Sequence, residues 1–404
     1  MVSDRVLPWV DWSLVANSSA ERQLRFTRIR LSNWRNFQFA DVVVQERNFL
    51  VGPNAAGKSN FLDSIRFLSD LVFESGGGLD YAVRHRDGIP QIRSLAARKN
   101  PNIELDVTLG TTNLDEWRYR LVVGQDPAFH RPVVKAESVY HRAKLVEPER
   151  PDSEDRVDPE RLRQTHLEQV AANRAFRPVA DFFRSIRYYH IVPQLVRETE
   201  RWESPEVDPY GGDFLERIWR TPTRTRDARL ARIQKALTVA VPQLQELHVK
   251  RDQTTGVVHL EGRYKHWRPF GAWQNESAFS DGTLRLIGFL WSLLDGTGPL
   301  LLEEPELSLH SEVVRQLPQV MARLSSVNRR QLFVSTHSYD LLLDRGIAPD
   351  EVLLFQPSPA GTKIELGATR TEVRELLQHG MSVAEAVIPF TKPENAQQLT
   401  LAFD

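Results

Sequence analysis

Cysteine is absent from all 404 residues. That excludes a disulfide framework and a Cys-ligated metal site, and it suits a reducing compartment, so a cytoplasmic location is expected. Long apolar runs are missing too. The longest, residues 286–294, falls far short of the ~20 residues that cross a bilayer, and no basic-then-apolar leader opens the chain. The expectation is a soluble protein with no membrane segment. Charge of one sign is not in excess either: 52 basic against 53 acidic residues leave a net charge of −1. Contact with nucleic acid therefore has to come from a local patch. What is present, 41% hydrophobic and 9% aromatic residues, is ordinary material for a real core.

Residues 1–23 read as a loose N-terminal arm. Residues 24–31 (LRFTRIRL) alternate apolar and polar, as a half-buried strand does. Residues 41–45 and 48–51 read as further strands, the second running into GPNAAGKS, and residues 60–73 carry apolar positions at helical spacing until Gly76–Gly78 ends them. A first core part is thus expected over 24–78. Residues 79–185 read as an inserted lobe: a hairpin of 103–109 and 117–123, an acidic stretch over 147–160 taken as a solvated linker or an exposed helix approach, then helix. A second core part is expected over 186–385, with a strand at 188–192, a basic helical segment over 213–247, a hairpin over 248–264 and a buried helix over 284–294. Short apolar runs at 299–302 and 331–334 have the look of buried parallel strands. Residues 386–404 form a tail. Alternating strands and helices predict an α/β fold with a mostly parallel core sheet, an antiparallel β lobe and a helical insertion.

Gly52, Pro53, Asn54, Ala55, Ala56, Gly57, Lys58 and Ser59 fit the phosphate-loop pattern G-x-x-x-x-G-K-S, with a strand before them and a helix after. The two glycines let backbone N–H groups close around phosphate oxygens, and the helix adds its positive end. Lys58 is expected on the β- and γ-phosphates and Ser59 on Mg²⁺, with Asn60 beside them. ATP and Mg²⁺ are the cofactors this implies.

Leu300-Leu301-Leu302-Glu303-Glu304-Pro305-Glu306 is an apolar run ending in carboxylates. Reacting groups gather at the carboxyl ends of parallel strands, so Glu303 is expected in the Mg²⁺ shell and Glu304 as the base that activates water. Ser280-Asp281-Gly282-Thr283 precedes the buried helix; it reads either as a second anion site or as an ordinary capping turn. His337, after the run 331–334, stands where it can reach a γ-phosphate.

These four motifs, in this order, resemble the ATPase heads of the ABC superfamily. The similarity is greatest to the RecF-like, OLD-like and SMC-like branch, including bacterial AAA family ATPases of defence loci; the opening RIRLSNWRNF adds to it. The resemblance covers roughly residues 24–75 and 185–355. It implies a P-loop NTPase with an ABC-type head that works as a head-to-tail homodimer. The phosphate loop of one copy would face Ser280 and Gly282 of the other. It also implies that Lys58, Glu304 and His337 carry catalysis, that Leu307–His310 links the two sites, that Arg35 and Asn36 lie near the nucleotide, and that Gln194 completes the metal shell. Glu303 stands where Asp is commoner, and Phe279 where Leu is.

Beyond ATP the signals thin. Arg217 to Lys235 holds seven basic residues and one acidic one, which reads as a DNA patch with Trp219 for stacking or as a solvated helix face. The terminal Gln398, Leu401 and Phe403 resemble a sliding-clamp peptide or close on the protein itself. The favoured function is an ATP-driven switch acting on DNA or a separate effector or nuclease subunit, in bacterial anti-phage defence or DNA repair. The alternatives are an ATP-binding scaffold and a transporter-associated ATPase.

Overall fold

Two kinds of apolar patterning become two kinds of sheet. The computed structural model describes residues 23–74, 76–97, 100–111, 114–198, 208–265 and 272–391. The arm, but for its last residue, and the tail positions Gln398, Leu401 and Phe403 lie outside the described residues. Alternating segments form an antiparallel sheet. Numbered along the chain, it contains β1 (Arg25–Trp34), β2 (Phe37–Val43), β4 (Ile103–Thr111), β5 (Leu114–Gln125), β6 (Pro132–His141) and β7 (Lys144–Leu145), in the order β2-β1-β4-β5-β6-β7. The opening strands, which sequence grouped with the phosphate loop, thus share a sheet with the inserted hairpin.

The uniformly apolar segments form the second sheet: β3 (Arg47–Val51), β8 (Arg187–Tyr189), β12 (Leu300–Glu303), β13 (Leu332–Thr336), β14 (Val352–Gln356) and β15 (Lys363–Leu366). Its order is β15-β14-β3-β13-β12-β8, and every pairing is parallel except β14 with β15. Both faces are covered. Leu50, Leu301, Phe333 and Leu353 enter the core shared with the antiparallel sheet, while Phe49, Leu300, Leu302, Leu332 and Val334 enter the core on the other side. Burial on both faces is why these strands show no alternation.

The helix Lys58–Leu71 buries Phe61, Leu62, Ile65, Phe67 and Leu68 between the two sheets. On the far side lie the helices Thr223–Ala240 and Asp281–Leu294 and a small antiparallel sheet of β9 (Leu244–Arg251), β10 (Val258–Tyr264) and β11 (Ala272–Asn275). The expected helical segment over 213–247 stops at Ala240 because Pro242 cannot continue it, and Leu244 already begins β9. Among the described residues no helix is long and apolar enough to cross a membrane.

The stretch 147–160 is largely exposed and carries the short helix Ser153–Val157, but Arg150 and Asp155 within it are buried. Arg150 is buried and donates to Asp155 through Nε and Nη2, both at 2.9 Å, and to the Gln164 and Arg161 carbonyls at 2.6 and 2.9 Å. Its Nη1 also lies 3.3 Å from the buried Glu137 of β6. One basic residue in an acid-rich run therefore pins that run to the sheet. Arg150→Ala would remove the buried cation between Asp155 and Glu137, and breaking a buried pair in this way costs about 3–5 kcal/mol. A thermal or urea melt of the variant reads that loss.

Candidate functional site

The parallel register brings three strand ends together. Thr336 lies beside Val51 at the end of β3, and Ser335 beside Glu303 at the end of β12. The phosphate loop leaves β3 there, and Gly57 takes φ 95°, a left-handed value that only glycine adopts freely. A Cβ at Gly57 would also run into the Asn36 side chain, and one at Gly52 would meet Phe355 O at 2.5 Å. Lys58 is buried, its Nζ donating to the Gly52 and Pro53 carbonyls at 2.9 and 3.0 Å. Burial pushes its ammonium down to about 8, against the opposing fields of Glu304, Glu303 and Glu306.

The turn between β1 and β2 braces this loop. Asn36 Nδ2 donates to Ala56 O at 3.0 Å and its Oδ1 accepts from Asn60 Nδ2 at 2.9 Å. Trp34 Nε1 donates to Asn60 O at 2.9 Å, and Arg35 pairs with Asp63. Arg35, Asn36, Ala55 and Asn60 line a cleft of about 1220 Å³ closed by the loops around Arg93 and Pro359.

Across the junction, Ser59 Oγ donates to Glu303 Oε1 and Tyr188 OH to Glu303 Oε2. Glu304 is held at φ 42°, a strained value for a side-chain-bearing residue, with its N–H on Ser335 O at 3.1 Å. His337 Nε2 lies 3.2 Å from Glu304 Oε1. That contact holds the Glu304 carboxyl below its usual range, with Lys58 and His190 adding to the effect. Sequence reasoning passed over Glu306. Its buried Oε1 accepts from Thr336 Oγ1 and from His337 N–H at 3.4 Å, its Oε2 has no partner among the described residues, and burial raises its pKa. A third carboxylate directly after the proline was the available signal.

Ser280 caps the helix Asp281–Leu294, its Oγ accepting from Thr283 N–H at 3.2 Å. Gly282 rests on the loop after Glu306: a Cβ there would meet Ser308 O at 2.5 Å. Neither Ser280 nor Gly282 lines the clefts beside the phosphate loop of the same chain. Gln194 is not brought to Ser59 and Glu303. It sits in the short helix Pro193–Arg197, and its Nε2 donates to Asp281 of this capping turn at 3.3 Å. The residue that follows β8 directly, His190, lines a cavity of about 270 Å³ with Ser59, Asn60, Tyr188 and Glu303 instead.

The basic run is mostly committed within the fold. Arg217 pairs with Asp213, Arg226 with Asp227 and Arg229 with Asp295. Trp219 is not free for stacking, since Arg226 and Arg251 lie 4.8 and 5.4 Å from its ring. Arg224, Arg232 and Lys235 stay exposed, within about 80° of one another around the helix.

A family model described as "AAA domain, putative AbiEii toxin, Type IV TA system" matches residues 47–344. Endonuclease GajA of Bacillus cereus (strain VD045) is 35% identical over 54 residues, which are 13% of this chain and 9% of GajA. The chain thus aligns with under a tenth of that relative. An SMC head bound to the C-winged helix domain of ScpA matches with a TM-score of 0.51 at 14% identity, over 84% of this chain and 96% of that one. An Smc head with an extended coiled coil, bound to the C-terminal domain of ScpA derived from Pyrococcus furiosus, matches with 0.51 at 11% identity, over 88% and 100%. At such identities the likeness is one of fold, and it is the expected ABC-type head.

Because the atom facing Gly282 is a backbone carbonyl, it cannot step aside cheaply. Gly282→Ala is expected to lower stability by about 1–3 kcal/mol, the cost of overpacking, as measured by urea denaturation.

Proposed function

The chain belongs to the AAA domain family matched over residues 47–344, and from that premise we propose that it binds and hydrolyses ATP between two head-to-tail copies. The carrying observation is the hydrogen bond from Ser59 to Glu303, which joins the phosphate loop to the acidic strand end. Backbone N–H groups of residues 54–59 and the Lys58 ammonium hold the triphosphate, aided by the helix N-terminus. Arg35, Asn36 and Asn60 border the large cleft and contact the rest of the nucleotide.

Ser59 and Glu303 offer only oxygen donors, which fits Mg²⁺ and not a softer metal. When bound, the ion offsets charge on the β- and γ-phosphate oxygens. Glu304, kept ionised by His337, takes the proton of the attacking water. His337 orients Glu304 and faces the γ-phosphate. Ser280 and Gly282 reach a triphosphate only from a second copy, a reading supported by their absence from the lining of the clefts beside the phosphate loop.

ATP-dependent pairing then acts as a switch on DNA, with Arg224, Arg232 and Lys235 as phosphate contacts. Strand cleavage, named for GajA, is assigned to a separate effector subunit. Bacterial anti-phage defence or DNA maintenance is the setting this reading fits.

Glu304→Gln is expected to keep ATP binding, slow hydrolysis by about 10²–10⁴-fold and accumulate as an ATP-bound dimer. Phosphate release and light scattering read both effects. Lys58→Ala loses nucleotide binding in a fluorescent-nucleotide titration. Substituting Glu at Arg224, Arg232 and Lys235 together is expected to weaken DNA binding and flatten its salt slope, each lost contact contributing about 0.9. An unchanged slope assigns DNA to another face.

A further inference from the structure

Glu303 ends β12 with a side chain that needs restraint. Three torsions separate its carboxylate from the backbone, and the last of them is broad, so a free glutamate samples many positions. Here both oxygens are held: Ser59 Oγ donates to Oε1 and Tyr188 OH to Oε2. The second bond follows from sheet register. β8 runs parallel to β12 with Tyr188 beside Leu301, two residues before Glu303. Side chains two apart share a face, so Tyr188, Leu301 and Glu303 point the same way. Two residues span about 6.6 Å of strand, a gap that a tyrosine bridges and a short donor such as serine does not. The ring is itself fixed. It packs on the core shared by the two sheets, and the guanidinium of Arg66, on the helix Lys58–Leu71, lies 5.5 Å from its centroid. Tyr188, Ser59 and Glu303 all line the 270 Å³ cavity.

We propose that Tyr188 is a positioning residue for ATP hydrolysis, its hydroxyl pinning Glu303 Oε2 so that Oε1 stays toward Ser59 for the ion the two would share. A phenol suits the task. It donates a hydrogen bond, brings no charge that would repel a cation, and carries its hydroxyl on a rigid ring. The carboxylate is thereby ordered before an ion arrives, and less freedom is lost on binding. The inference rests on the ATP reading of the site and assigns it one further residue, which acts through Glu303.

The test compares wild type, Tyr188→Phe, Tyr189→Phe, Glu303→Asp and the double variant of Tyr188→Phe with Glu303→Asp, all as the full chain. Tyr189→Phe is the control, because its hydroxyl serves the opposite face of the sheet, donating to Asp295 at 3.2 Å. Mn²⁺ binding is followed by electron paramagnetic resonance in the presence of a non-hydrolysable ATP analogue. Steady-state hydrolysis and thermal melting are measured alongside. Loss of an outer partner of a metal ligand typically costs about 10–100-fold in affinity, and Tyr188→Phe is expected to weaken Mn²⁺ binding about tenfold. Its kcat falls, while the KM for ATP and the melting temperature stay near wild type. Tyr189→Phe keeps the wild-type Mn²⁺ affinity. With Glu303→Asp, whose carboxylate is too short to meet the phenol, adding Tyr188→Phe is expected to change nothing further. Should Glu303→Asp alone bind no Mn²⁺, the two tyrosine variants decide. The proposal is overturned if Tyr188→Phe binds Mn²⁺ like wild type, if Tyr189→Phe is weakened as much, or if Tyr188→Phe costs as much with Glu303→Asp as without it. A wild-type protein that binds neither the analogue nor Mn²⁺ sinks the ATP reading itself, whereas wild-type binding with an unaffected Tyr188→Phe sinks this inference alone.

Discussion

Parallel pairing of β3 with β13 and of β13 with β12 decides where the candidate site of this chain lies. Each strand contributes an apolar stretch to two cores at once, so none can slip along its neighbour without exposing a row of buried side chains. The register is therefore stiff, and it is the register that sets the phosphate loop, Glu303 and the segment leading to His337 at one edge. A site assembled from residues 58, 303 and 337 owes its precision to hydrophobic packing well away from any reacting atom.

The same edge concentrates carboxylates and backbone strain. Glu303 is engaged through both oxygens, Glu304 sits at positive φ against His337, and Glu306 is buried with one oxygen unpaired among the described residues. Three acids within four residues repel one another, and burial raises the pKa of Glu306 and works against the ionised form of Glu304. Lys58 and His337 offset this, and both are held by their own contacts rather than left to solvent. Such an arrangement costs stability locally and is tolerated because the surrounding sheet is doubly buried.

Much of this was legible in sequence, for a physical reason. A phosphate loop and an acidic strand end are local patterns, since the chemistry needs consecutive residues on one strand and the turn after it. Gly52 to Ser59 and Glu303 to Glu304 could be read for that reason. What could not be read depends on which distant residue arrives where. Arg150 looked solvated until Asp155 and Glu137 closed around it. Arg226 and Arg229 looked like a free basic face until Trp219 and Asp295 claimed them. Gln194 and His190 lie four positions apart, and only the length of β8 decides which of them stands beside Glu303. The two opening strands alternated as expected, yet nothing local told which sheet they would join.

Glu306 and Gly282 together suggest how one copy could sense the state of two sites. Gly282 lies against the Ser308 carbonyl so closely that no side chain fits between them. Two residues earlier in that loop, Glu306 is tied to Thr336 and to the His337 backbone. A phosphate bound at Ser280 and Gly282 from a second copy would press on the loop at Ser308. The loop cannot yield at its other end without moving Glu306, and Glu306 cannot move without disturbing His337, which holds Glu304. In the dimer proposed above the coupling would need no long pathway, because a single turn would have one face toward the partner's nucleotide and its anchor beside Glu304. Softening that anchor while leaving both nucleotide contacts intact would therefore uncouple the sites without emptying either.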